Sequence, residues 1–179
     1  MKKTWILKIS IVVLLLAYWA LLEFIFTGFN VSNKVEVKSA TSDVIGIDQK
    51  ALEDINVLRR GAGLEDLRFD PRLSASARKK AEDMKNRDYF DHVGPNGEEP
   101  WSFFEAENYN YKYAGENLYQ SFDGTDTTDG LRDNFALKAW LNSESHKENL
   151  LDKRFTDIGI GRVDRFIVHH FGITINIKE

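Results

Sequence analysis

The residues able to do chemistry in this chain are few. Four histidines, His92, His146, His169 and His170, stand in a sequence of 179 residues that has no cysteine. Thiolate nucleophiles, disulfides and thiolate-bound metals are therefore excluded. His92 lies in a turn-rich stretch, DHVGPNGEEP, and His146 in AWLNSESHKENLL, with Gly115-Glu116-Asn117 between them. The separations are 24 and 30 residues, so only tertiary folding can unite His92, Glu116 and His146. Neutral imidazole and carboxylate suit zinc or another divalent cation, and two or three such donors with an open position form a reactive site rather than a closed structural one. A His–Glu pair also suits acid–base work, because histidine titrates near neutrality. There is no H-E-x-x-H and no tight ligand pair, so spacing alone predicts no metal. Read without further context, surface histidines and a loop-bonding Glu116 are the plainer account.

Other polar residues read as structural. His169 shares a strand face with Ile167 and Phe171 and reads as a core histidine, whereas His170 points the other way and reads as structural or exposed. Ser143 and Ser145 lie near His146, but neither sits in G-x-S-x-G, and Ser143 reads as a helix cap. The aromatic run Tyr109–Tyr113 suits loop packing better than a carbohydrate surface. Gly159 and Gly161 alternate along a strand and read as close-packing positions, since no helix N-terminus follows to hold a phosphate.

The elements that must position these residues follow from periodicity. Asp48 caps a helix running to about Arg60, with Ala51, Ile55 and Leu58 on one face. Asp70-Pro71 opens a second helix with Leu73, Ala77, Ala81 and Met84 as its buried stripe and Arg78, Lys79, Lys80 and Glu82 as its wet face. A short helix fits Trp101–Glu107 and another Leu131–Asn142, while Asn117–Phe122 is open between strand and loop. Asp123–Gly130 reads as a polar loop. Two strands, Ile158–Val163 and Phe166–Ile177, close the chain. Helices first and strands last predict an α+β layered fold.

The N-terminus reads as a membrane element. Trp5–Phe26 is apolar except for Lys8 and Glu23 and is long enough for a bilayer. No small-x-small cleavage site follows it, which favours an uncleaved signal-anchor over a cleaved signal and hence a secreted form. Lys2 and Lys3 keep the N-terminus cytoplasmic and place the remainder outside. The boundaries are 1–29 for the anchor, 30–47 for a polar linker and 48–179 for one globular domain. The anchor region carries +2 of a formal total of -4, which leaves -6 on the rest. So acidic a domain is no nucleic-acid binder, because phosphate contacts need Lys and Arg.

Several segments together resemble a known family. FDHVGPNG, AGENL, AWLNSESHKENLL, FTDIGIGR and HHFGI occur in order, preceded by Asn56-Val-Leu-Arg-Arg and Asp70-Pro71. The pattern, over about residues 48–176, resembles the bacterial branch of the CAP superfamily (cysteine-rich secretory, antigen 5 and pathogenesis-related proteins). The resemblance implies a three-layer α-β-α sandwich around an antiparallel sheet, here preceded by one transmembrane helix. It also implies an open cleft lined by two histidines and one or two glutamates, and a divalent cation such as zinc in several members. The matching positions are His92, Glu116 and His146; for a second glutamate only Ser143 and Glu144 stand nearby. The same three residues are the candidates for any catalysis, and no organic cofactor is implied. Three functions are open: a binding module for a cell-wall, lipid or protein ligand, a metal-dependent hydrolase acting on the cell envelope, and a tethered structural domain. The binding module is favoured over an enzyme, because the sequence supplies no independent nucleophile.

Overall fold

Ala51 and Ile55, one helical turn apart, are both buried, and the chain is helical through residues 46–61 (α1). The computed structural model describes residues 46–123, 127 and 133–175, all within the unit Val44–Glu179. After α1 come β1 (Arg68–Phe69), α2 (Pro71–Arg87), α3 (Trp101–Ala106) and β2 (Tyr111–Gln120). Then follow α4 (Asp133–Leu141), α5 (Glu144–Leu150), β3 (Asp157–Val163) and β4 (Phe166–Thr174). The N-terminal anchor and linker lie outside the described residues. Among the described residues no helix is long and apolar enough to cross a membrane.

The longest of these helices shows how sequence sets position. Asp70 caps α2 by accepting from Arg72 N at 2.8 Å and Leu73 N at 3.4 Å, with Pro71 in the first turn. Asp88 ends it in the left-handed region at φ 50°, its N–H bonded to the Met84 carbonyl. The face turned inward is Leu73, Ser76, Ala77, Lys80, Ala81 and Met84. Lys80 thus corrects the sequence reading. It lies on the buried face at 0% exposure, not on the wet one. Its ammonium finds backbone and phenol acceptors inside the fold, which simple periodicity cannot reveal.

The sheet order is β1-β3-β4-β2. The three longer strands pair antiparallel, but β1 pairs parallel to β3. The sheet is therefore mixed rather than wholly antiparallel; β1, two residues long, carries no alternation for the sequence to show. Alternate residues of β4 feed opposite sides. Phe166 and Val168 pack with Ala77, Ala81 and Met84 of α2. Ile167 and Phe171 pack with Ala51, Ile55, Trp140 and Leu150 from α1, α4 and α5. A Cβ on Gly159 or Gly161 would collide with the α2 backbone at Leu73–Ser74 or Ala77–Arg78, so these glycines let α2 lie directly on β3. β2 is longer than sequence alternation suggests. A register shift between Tyr111 and Tyr113 breaks the period-two pattern where the strand starts. β2 is also an edge strand, opposite β1, and the candidate site is built around it.

Candidate functional site

Neighbouring residues of a strand point to opposite faces. In β2, Glu116 points toward α2 and Asn117 toward α5. Each takes hold of one histidine-bearing segment. Glu116 Oε1 meets His92 Nδ1 at 2.6 Å. Asn117 Nδ2 donates to the His146 carbonyl at 3.0 Å. Asn149, on the same helix as His146, donates from Nδ2 to the Glu116 carbonyl at 3.1 Å and to Asn117 Oδ1 at 2.9 Å. Thus two consecutive residues of the edge strand hold the His92 loop from one face and α5 from the other.

Glu116 is nearly inaccessible, with a side chain 1% exposed. Its second oxygen, Oε2, meets His170 Nε2 at 2.9 Å, and His170 Nδ1 meets Ser76 Oγ at 2.5 Å. A carboxylate can only accept, so both imidazoles turn N–H toward it. His92 is then protonated on Nδ1 and His170 on Nε2, and His170 Nδ1 accepts from the Ser76 hydroxyl. The order Ser76–His170–Glu116–His92 is one continuous buried chain that ends at the half-exposed His92 ring.

The charges follow this geometry. Burial alone would raise the Glu116 carboxyl, but the hydrogen bonds from His170 and His92 outweigh it and hold the group below its usual range. The Glu116 hydrogen bond draws His92 above the ordinary histidine value, against partial burial. Burial lowers His170 despite the same carboxylate, so it stays neutral. His146 is held low by burial and then by the charge of His92.

His146 Nδ1 lies 2.9 Å from Ser143 Oγ, so Ser143 meets the histidine directly as well as preceding α5 as its N-cap. Glu144 is exposed and lines a separate polar hollow of about 330 Å³ with Lys147, Glu148, Leu151, Asp152 and Arg154. Neither therefore supplies a second cleft glutamate in this arrangement. His170 carries more than the sequence reading gave it: it is wholly buried and bonded to Glu116. The register of β4 against β2, which pairs Glu116 with His170, was the missing information. His169 lies on the opposite face against Trp140, with neither ring nitrogen hydrogen-bonded.

The donor set can be tested against a divalent cation. No group of three or more His, Asp or Glu is arranged to hold a metal among the described residues. Both Glu116 oxygens are already bound to imidazoles. The Nε2 atoms of His92 and His146 are engaged by no described residue. By donor chemistry alone, the two imidazoles of His92 and His146 are the groups that would hold a cation, with Glu116 behind His92 as an orienting carboxylate. For His146 the fit requires Nδ1–H to donate to Ser143 Oγ, which leaves Nε2 with its lone pair.

A layered helix–sheet fold with His92 and His170 bonded to an edge-strand carboxylate has recognisable relatives. The cysteine-rich secretory protein family, CAP, matches residues 52–165, and the chain belongs to that family although it has no cysteine. It is 40% identical over 126 residues to the uncharacterized protein YkwD of Bacillus subtilis, covering 70% of this chain and 46% of that protein. It is 30% identical over 145 residues to the uncharacterized membrane protein YlbC of the same organism, covering 80% of this chain and 39% of that protein. The chain thus spans less than half the length of these relatives. A crystal structure of an extracellular SCP-domain protein from Bacillus anthracis superposes with a TM-score of 0.61 at 31% identity, over 69% of this chain and 39% of that one. An outer surface protein of Borrelia burgdorferi shares the fold, with a TM-score of 0.62 at 24% identity, over 73% of this chain and 94% of that one.

Proposed function

We propose that the chain is a membrane-tethered, extracytoplasmic binding module whose cleft takes one divalent cation, zinc or one like it, on His92 and His146. The observation that carries this reading is the locked Glu116. With both oxygens bound by imidazole N–H groups it cannot swing out as a ligand. It fixes the His92 tautomer so that Nε2 presents a lone pair outward. Two protein donors leave coordination positions open, and an oxygen donor from a cell-wall, lipid or protein ligand completes the set. The apolar segment Trp5–Phe26 is the tether, and the descriptions of the relatives, one a membrane protein and one extracellular, favour the same placement.

The test is calorimetry of the full-length chain with zinc chloride at pH 7.5. One-to-one binding should appear in the wild type and vanish in His92→Ala and in His146→Ala while both variants keep their circular dichroism. Absence of binding in the wild type, or binding untouched by both substitutions, defeats the reading.

A further inference from the structure

We infer that Lys80 is the positioning residue of the cleft: its buried ammonium fixes the backbone of His92 and so aims the ring that Glu116 orients. Lys80 is 0% exposed. Its Nζ donates to the His92 carbonyl at 2.7 Å and to Tyr89 Oη at 3.1 Å. Among the described residues no carboxylate hydrogen-bonds it, and its ammonium lies 4.8 Å from the Tyr89 ring centre and 5.7 Å from that of Phe103. Burial disfavours the charge and outweighs the carboxylates of Glu116, Asp83 and Asp91, which favour it without hydrogen-bonding it, so an ordinary packing position does not favour lysine. What the site gains is a donor that reaches a carbonyl in a loop without regular structure.

The arrangement is specific to that loop. Tyr89 Oη donates in turn to Asp83 Oδ2 at 2.5 Å, Asp83 bonds Arg87, and Arg87 meets both Glu98 oxygens at 3.0 and 3.2 Å. One network therefore grips the loop at His92 and again at Glu98. Ser76 and Lys80 are four residues apart on the inward face of α2. Ser76 supports His170 behind Glu116, and Lys80 supports His92 in front of it. A single helical turn sets both imidazoles that hold the carboxylate, and each support can be removed separately.

That separability is the test. In the full-length protein at pH 8.5, long-range proton–nitrogen NMR correlations read the tautomer of each ring. The wild type should show His92 protonated on Nδ1 and His170 on Nε2. In Lys80→Met, His92 should shift toward the Nε2–H form that free imidazole prefers, and the amides of residues 90–94 should broaden, while His170 stays unchanged. A merely structural lysine would leave both rings alone or disturb both together, and either result overturns the inference. Should Lys80→Met fail to fold, Tyr89→Phe, which removes one of the two Nζ acceptors, is read in the same way. A smaller shift at His92 alone supports the role, and equal behaviour of the two rings refutes it. Zinc titration of the same variant adds a second reading, which rests on the cation site proposed above: Lys80→Met should bind at least tenfold more weakly than wild type. If the wild type binds no zinc, that site fails, and the tautomers still decide the role of Lys80.

Discussion

Glu116 and His92 between them set the pH behaviour of the proposed cation site. Metal binding needs the neutral ring, and the Glu116 hydrogen bond holds the His92 proton to a higher pH than in an ordinary histidine. His146 is shifted the other way and loses its proton first as pH rises. Zinc affinity should therefore begin to fall, on acidification, at a pH set by His92 and above the usual histidine value of about 6.5. Replacing Glu116 with Gln removes that pull. The midpoint of the affinity profile should move to lower pH, and the affinity at pH 8 should drop about ten- to a hundredfold through loss of ring orientation. An unshifted midpoint in a pH-resolved zinc titration would contradict the assigned role of Glu116. At this scale the pairing of His92 with Glu116 was legible in the sequence, because both stand in distinctive segments. The partners His170, Ser76 and Lys80 were not, since they reach the site through strand register and a helix face.

The helix α5 carries His146, and Arg59 of α1 anchors its far end. The Arg59 side chain is 1% exposed and donates to the carbonyls of Glu65, Leu150, Asp152 and Phe155 at 2.9 to 3.2 Å. A short helix is marginal on its own, so satisfying its terminal carbonyls matters. Arg59→Met takes the donor from the buried Leu150 and Phe155 carbonyls and should lower stability by about 3 kcal/mol, read as a fall in the urea midpoint. A midpoint within error of wild type would show that water replaces the guanidinium without cost. Most helices were legible from apolar spacing, because α1, α2 and α4 each bury a stripe. β2 was only half legible, because its early residues pass through a register shift and its buried part, 115–118, includes a glycine and two polar residues.

Across the whole molecule, two fully enclosed histidines shape the response to acid. Burial lowers both His169 and His170, so the fold holds them neutral while the unfolded chain binds protons near pH 6.5. The stability they contribute is present above that value and is lost as pH falls below it. His92 has the opposite sign: its contribution is complete below about 6.5 and is lost as pH rises through its raised folded value. Stability measured by urea melts should decline between pH 6.5 and 5.5, with up to about 1.4 kcal/mol per pH unit from each buried ring. His169→Phe removes two unsatisfied ring nitrogens beside a cavity of about 10 Å³ and should reduce that decline by about half. An unchanged acid slope would mean that His169 takes a proton inside the fold. The layered fold class was legible from helices followed by strands. The mixed sheet was not, because β1 is too short to have a pattern.

The cation reading is tested most directly by an anomalous-scattering map at the zinc edge, from crystals of the protein grown with zinc. The account predicts one peak at about 2.0–2.1 Å from both His92 Nε2 and His146 Nε2, with Glu116 still bonded to its two imidazoles. A peak bound by a Glu116 oxygen, a peak at the Glu144–Arg154 hollow alone, or no peak between the two rings would contradict it.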